Sequence, residues 1–202
     1  MKLARGSKLV LATHNKGKLV EMRDLLAPHG IALVSAGELG LAEPVETETT
    51  FIGNATLKAV AAANGSGLPA LSDDSGIEIA ALDGAPGVYS ADWAGHAKDF
   101  SAAMRHIHEA LMERGIGFTK PLKANFTSVL CLARPGGTPE CYQGKVFGHI
   151  VWPPRGSNGF GYDPMFVPEG HKQTFGEMDP AAKHVLSHRA RSFEKFAAAC
   201  LE

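Results

Sequence analysis

Asp73-Asp74-Ser75-Gly76 follows a short apolar run, Pro69–Ser72, that reads as a buried strand. Ligand sites in α/β sheets gather at strand ends. On an extended chain adjacent side chains face opposite ways, so the two aspartates are expected to hold different tasks. One can face a metal ion while the other braces a turn or caps a helix. Carboxylate oxygens are hard ligands that suit magnesium, an ion that keeps several waters and rides on phosphates. The same four residue types also form turns.

Three further stretches could work with it. Thr13-His14-Asn15-Lys16-Gly17-Lys18 lies between an apolar run and an amphipathic one. A helix starting there would offer unpaired backbone N–H groups and a positive dipole to an anion. Thr13 and Asn15 add neutral hydrogen-bonding groups, and Lys16 and Lys18 add charges for phosphate oxygens; the bland reading is a solvated turn with Asn15 as a cap. It is not a Walker loop, because GxxxxGK[ST] is absent. Gly156–Pro164 is glycine-rich and carries Phe160 and Tyr162, whose rings could stack on a flat base. Lys183-His184-Val185-Leu186-Ser187-His188-Arg189 opens the last helix, with Lys183 and Arg189 able to counter phosphate or read a base edge and His188 able to donate or accept. Two basic clusters, a carboxylate pair and an aromatic–glycine loop are the parts needed to hold a metal–nucleoside triphosphate. Such a ligand carries about four negative charges, and chemistry on it rests mainly on positioning and charge neutralisation.

The elements that would position these residues alternate between strand and helix patterns, the signature of an α/β domain. Strands are expected at Lys8–Ala12, Ile31–Val34, Pro69–Ser72, Ile77–Ala80, Lys123–Leu132, Glu140–Trp152 and Met165–Val167. The spacing predicts a helix after Asn15 ending at Pro28 and Gly30, and another over Phe51–Ala63 stopped by Asn64-Gly65. A third carries Phe100, Ala103, Met104, Ile107 and Leu111, and a last one Phe193, Phe196, Ala197 and Cys200. Glu38–Thr50 is acidic, shows no period and reads as a loop. No repeat or long linker divides the chain, so residues 1–202 are expected to form one α/β domain.

Bulk properties exclude several classes. A net charge of −1 gives no global field for DNA, RNA or an anionic membrane. Cys131, Cys141 and Cys200 are too few and too scattered for a disulfide framework or a zinc site, and read as buried or semi-buried thiols. Among the histidines, His29, His96, His106, His108 and His171 read as surface residues. The N-terminus MKLARGSKLVLA is not a signal peptide, and no apolar run reaches the ~20 residues of a membrane span. The expected location is the cytoplasm.

Read in order, LVLATHNKGKLVEM, ETETTFIGNATLKA, LSDDSGIEIAALDGAPGVYSADWAG, GFGYDPMF and KHVLSHRARSF resemble the inosine-triphosphate-pyrophosphatase type of enzyme, the noncanonical purine NTP pyrophosphatases. The resemblance covers nearly the whole chain. It implies a mixed, strongly curved central sheet flanked by helices, two lobes with the nucleotide in a cleft, and usually a homodimer. It also implies Mg2+ as cofactor and hydrolysis of ITP, dITP or XTP at the α-phosphorus to monophosphate and pyrophosphate. By the same resemblance Thr13, Asn15 and Lys18, within Thr13–Lys18, hold the triphosphate, Glu46 and Asp74 bind the metal, and Asp74 accepts a proton. Ser75 touches substrate, Phe160, Gly161, Tyr162 and Asp163 form the base loop with the Phe160 ring on the purine, and Lys183, His188 and Arg189 read the base or finish the phosphate clamp. One departure is Gly53, where many relatives carry a carboxylate; Lys58 of the same helix stays available for phosphate.

A hydrogen-bond donor beside O6 of the base, from His188 or Arg189, would favour 6-keto purines and reject adenine. Two rivals are weighed against this. Maf-type pyrophosphatases share a similar fold and act on other bases, but the SHR and GFGYD motifs argue against them. A non-catalytic nucleotide-binding module would not need Glu46, Asp74 and Lys18 together.

Overall fold

The computed structural model of the chain describes residues 2–202, apart from the side chain of Lys16. Its strands are β1 (Lys8–Leu11), β2 (Ala32–Ser35), β3 (Ala70–Ile79), β4 (Leu122–Ala133), β5 (Glu140–Ile150) and β6 (Phe166–Pro168). Its helices are α1 (Lys16–Leu26), α2 (Phe51–Ser66), α3 (Phe100–Glu113), α4 (Pro180–Leu186) and α5 (His188–Cys200). The six strands form one sheet in the order β2-β1-β3-β4-β5-β6. β1 pairs parallel with both β2 and β3, while β5 and β6 are antiparallel, so the sheet is mixed as expected.

The chain divides into two compact units, each with its own core. The first comprises Met1–Asp74, Ser128–Gly144 and Arg189–Glu202; the second comprises Ser75–Thr127 and Lys145–His188. In the first, Leu9, Leu11, Leu71, Leu130 and Leu132 of the strands pack against Met22 and Leu26 of α1 and Phe193 and Phe196 of α5. In the second, Ile77, Ile79, Phe126, Val146 and Ile150 pack against Ala103, Met104, Ile107 and Leu111 of α3. The period-2 and 3.6 patterns of the sequence thus mark the faces that are buried.

Three expectations need correction. α2 does not stop at Asn64-Gly65; it runs to Ser66, and Gly67 caps it in the left-handed region at φ 70°. Asn and Gly each cost up to about 1 kcal/mol inside a helix, too little to break one anchored by Ala55, Ala59, Ala62 and Ala63 in the core. Asp73-Asp74-Ser75-Gly76 is not a turn between two strands but the middle of the single strand β3. Its glycine is there for close approach: a Cβ on Gly76 would lie 2.3 Å from the Gly87 carbonyl oxygen and 2.4 Å from Ser90 Oγ. The last helix is two helices, parted at Ser187, whose ψ of 155° is extended. The remaining elements agree within two residues or so at their ends, where assignments ordinarily vary. His108 and His29 are half-buried rather than fully on the surface; His108 stacks on Trp152 at 4.4 Å, and His29 meets the Phe193 ring edge at 5.7 Å.

Candidate active site

Strand alternation gives the two aspartates of β3 different neighbours, as the extended geometry requires. Ser72 and Asp74 point to α2: Ser72 Oγ donates to the Ala55 carbonyl at 2.5 Å, and Lys58 Nζ donates to Asp74 Oδ1 at 2.9 Å. Leu71 and Asp73 point to α1 and α5, where Leu71 joins their core and Asp73 meets the cations Lys18 and Arg189.

Asp73 is the more deeply buried of the two. Its carboxylate accepts from Lys18 Nζ at 2.8 Å, Ser128 Oγ at 2.8 Å and Arg189 Nη2 at 3.1 Å. Arg189 also donates through Nη1 to Glu21 Oε2. Burial would raise the Asp73 pKa, but Arg189 and Lys18, with the hydrogen bonds of Lys18 and Ser128, hold it well below the usual carboxylate range. Burial would likewise lower the Arg189 pKa, and Asp73 and Glu21 keep it raised. This is a buried ion-pair brace that fixes Lys18. The sequence reading missed Glu21 and Ser128. Glu21 sits three residues after Lys18, on the same face of α1, and that spacing was a usable signal. Ser128 comes from β4 and could be joined to Asp73 only by the fold.

Asp74 is built differently. Lys58 Nζ bridges Asp74 Oδ1 at 2.9 Å and Glu46 Oε1 at 2.5 Å, so the two carboxylates expected to bind metal do converge on one cationic position. Asp74 Oδ2 is buried and has no hydrogen-bond partner among the described residues. Burial raises the Asp74 pKa, and the nearby Lys58 and Lys18 ammoniums offset only part of that. The Lys58 pKa, which burial would lower, is held up by Asp74 and Glu46. Lys58 was expected to be available for phosphate; its ammonium is instead engaged by these two carboxylates. In the first turn of α2, a Cβ on Gly53 would lie 2.6 Å from Glu48 Cβ, so the space that a residue at 53 would use is filled by the Glu48 side chain.

The loop Thr13–Lys18 forms as a capped helix start. Asn15 Oδ1 accepts from Gly17 N at 2.9 Å and Lys18 N at 3.2 Å, and Thr13 Oγ1 accepts from Asn15 N at 3.2 Å. Two of the backbone donors that an anion could use are therefore already taken by the cap. His14 is exposed and lies 3.4 Å from Glu43. The Lys16 side chain lies outside the described residues. Replacing Asn15 by Ala should cost about 1 kcal/mol, read as a lowered midpoint of thermal unfolding.

The other expected residues belong to the second unit. Asp163 accepts from Phe160 N at 2.8 Å and Lys183 Nζ at 2.7 Å, closing the loop around Gly161. Lys183 Nζ also lies 5.1 Å from the centre of the Phe160 ring, within cation–π range. His188 is buried and stacks on Phe126 at 4.9 Å and 13°. Of the two loop aromatics, only Phe160 keeps a partly exposed ring. Tyr162 is a core residue whose hydroxyl donates to the Ser90 carbonyl at 2.8 Å, because its ring packs edge-on to Phe100. Ser75 follows Asp74 on β3 and is half-buried.

Two hard carboxylates on one cationic position, one with an orphaned buried oxygen, fit a magnesium ion that takes its remaining ligands from phosphate and water. No cluster of three or more His, Cys, Asp or Glu side chains occurs among the described residues.

The mixed sheet agrees with the known proteins that the chain resembles. The family model described as the Ham1 family matches residues 9–199, and the chain belongs to that family. It is 58% identical over 202 residues to a protein of Bradyrhizobium diazoefficiens named dITP/XTP pyrophosphatase, with 96% of each chain covered. The solved HAM1 protein from Coxiella burnetii superposes with a TM-score of 0.87 at 38% identity, covering 96% of this chain and 98% of its own. The Staphylococcus aureus Ham1 protein gives 0.84 at 30% identity, covering 96% and 97%. No helix among the described residues is long and apolar enough to cross a membrane.

Proposed function

We propose that this protein hydrolyses noncanonical purine nucleoside triphosphates (dITP, ITP and XTP) to the monophosphate and pyrophosphate, and so clears them from the nucleotide pool. The single observation that carries the chemistry is the Asp74 carboxylate. It is buried, it is raised in pKa, and its Oδ2 lacks a partner while Oδ1 is held by Lys58. A base near neutral pH needs that combination of basicity and a fixed lone pair. The substrate class is supported by the name of the Bradyrhizobium relative at 58% identity.

In this reading Asp74 Oδ2 takes the proton of the water that attacks the α-phosphorus, and pyrophosphate leaves as one unit. Lys18, held by Asp73, and the Thr13–Asn15 turn contact the phosphates. Glu46 and Asp74 are the residues that would hold Mg2+, which supplies neutralisation of charge on the phosphate oxygens. Phe160 stacks on the base. His188 rather than Arg189 supplies the donor toward O6, because both terminal nitrogens of Arg189 are engaged by Glu21 and Asp73. Adenine would place an amino group against that donor, a contact left unpaired. Residues 1–202 work as one catalytic domain, the protein acts in the cytoplasm, and it pairs as a homodimer.

Pyrophosphate release from a panel of dITP, XTP, ITP, ATP, GTP and dTTP tests the reading. The three noncanonical purines should exceed the others in kcat/KM by about 10²-fold or more. EDTA should abolish release and excess Mg2+ restore it. Clear preference for dTTP or ATP would overturn the substrate class, and full activity in EDTA would overturn the metal.

A further inference from the structure

Cys131 and Cys141 take no part in the chemistry above, and the fold brings them together. β4 and β5 are neighbours in the sheet, joined through residues 134–139, a connection too short for anything but an antiparallel hairpin. Leu130 and Leu132 of β4 face the core of α1 and α5, so Cys131 faces the other way, toward α2. There Thr56 Oγ1 lies 3.7 Å from Cys131 Sγ and 3.4 Å from Cys141 Sγ, so one hydroxyl bridges the two thiols. Cys131 is fully buried, while Cys141 is half-exposed. The third thiol, Cys200, is occupied elsewhere, 3.0 Å from the Tyr142 hydroxyl.

We propose that Cys131 and Cys141 are an oxidation site, at which a peroxide converts the cross-strand pair to an internal disulfide. One hydroxyl within 3.7 Å of one sulfur and 3.4 Å of the other puts both on the same face of neighbouring strands, where side-chain rotation and a local shift can bring them to the Cβ separation of about 3.5–4.5 Å that a disulfide needs. Their unequal environments order the steps. Interaction with the Cys131 thiol lowers the Cys141 pKa, against the opposing effect of burial. The same interaction and burial push Cys131 up. Cys141 is therefore the accessible thiolate, the form that reacts. Its sulfur attacks one peroxide oxygen, the O–O bond breaks, and hydroxide leaves, giving a sulfenic acid at Cys141. The Cys131 sulfur then displaces the sulfenic oxygen, which leaves with the Cys131 proton as water. In sum two thiols are oxidised, one peroxide is reduced, and an S–S bond forms.

Trypsin cannot cut at Arg134, because Pro135 follows, so both cysteines stay in one peptide, residues 124–145, while Cys200 falls in another. After hydrogen peroxide treatment of the full chain, that peptide should be lighter by two hydrogens and refuse alkylation, and dithiothreitol should reverse both changes. C200S should behave the same way. In C131S, dimedone should trap a sulfenic acid at Cys141; in C141S it should trap none at Cys131. The proposal is overturned if peptide 124–145 gains oxygen instead of losing hydrogen, or if the linkage forms to Cys200 or between chains. It is equally overturned if Cys131 gives the dimedone adduct. The wild-type peptide mass decides the matter even if a serine variant fails to fold.

Discussion

Replacing Asp74 by asparagine lowers kcat by about 10²–10⁴-fold, while the midpoint of thermal unfolding holds or rises slightly. The first half follows from losing the only proton acceptor that the proposed reaction uses. The second follows from the direction of the pKa shift. Asp74 is raised in the folded protein, so its stability contribution is complete below the unfolded pKa and is lost as pH rises through the folded one. Above its folded pKa the ionised Asp74 is thus a burden on the fold, which asparagine removes while keeping an oxygen for Lys58. Glu46 still faces the ammonium. The wild-type pH profile should carry the same mark: kcat falls on the acid side around a pKa above that of ordinary aspartate. Turnover of the asparagine variant near wild type would remove Asp74 from the reaction.

The neighbouring substitution, Asp73→Ala, should do the opposite and act first on stability. It takes their shared carboxylate from the Lys18 ammonium and from the Arg189 guanidinium, which keeps only the Glu21 side of its pairing, and breaking one partner out of a buried ion pair costs about 3–5 kcal/mol. For a chain of this size that lowers the unfolding midpoint by roughly 10 °C. The sign with pH is also reversed. The Asp73 pKa is depressed in the fold, so its contribution is present above the unfolded pKa and lost only as pH falls through the much lower folded value. Differential scanning of wild type and variant between pH 7 and about 3 should show a gap that narrows only at the acid end. A variant that melts with wild type would mean that Asp73 does not brace Lys18 and Arg189.

The contrast between these two adjacent residues shows what was legible in the sequence. That they would divide their labour followed from strand geometry, but the break expected between strands at Asp73-Asp74-Ser75-Gly76 is absent, since β3 runs through it. Gly76 is in β3 to let residues 87–90 lie against the strand, a long-range contact that no local pattern reveals. The amphipathic helices α1 and α3 and the apolar strands were legible because burial imposes their period. The end of α2 was not, because core packing outweighs the weak propensity of Asn64-Gly65. Within the candidate site, the convergence of Glu46 and Asp74 was anticipated by resemblance, yet the cation between them, Lys58, was given to phosphate. The partners of Asp73 come from α1, β4 and α5, so only tertiary structure could assemble them. The approach of Cys131 and Cys141 was hidden in the same way, because it is Thr56 of α2 that stands beside both.

The claim on which the rest turns is where water enters the substrate. Hydrolysis of dITP in water enriched in oxygen-18, with mass analysis of both products, reads this directly. The label should appear in the monophosphate, with unlabelled pyrophosphate as the other product. Label in the pyrophosphate, or release of orthophosphate in its place, would contradict attack at the α-phosphorus and the role given to Asp74.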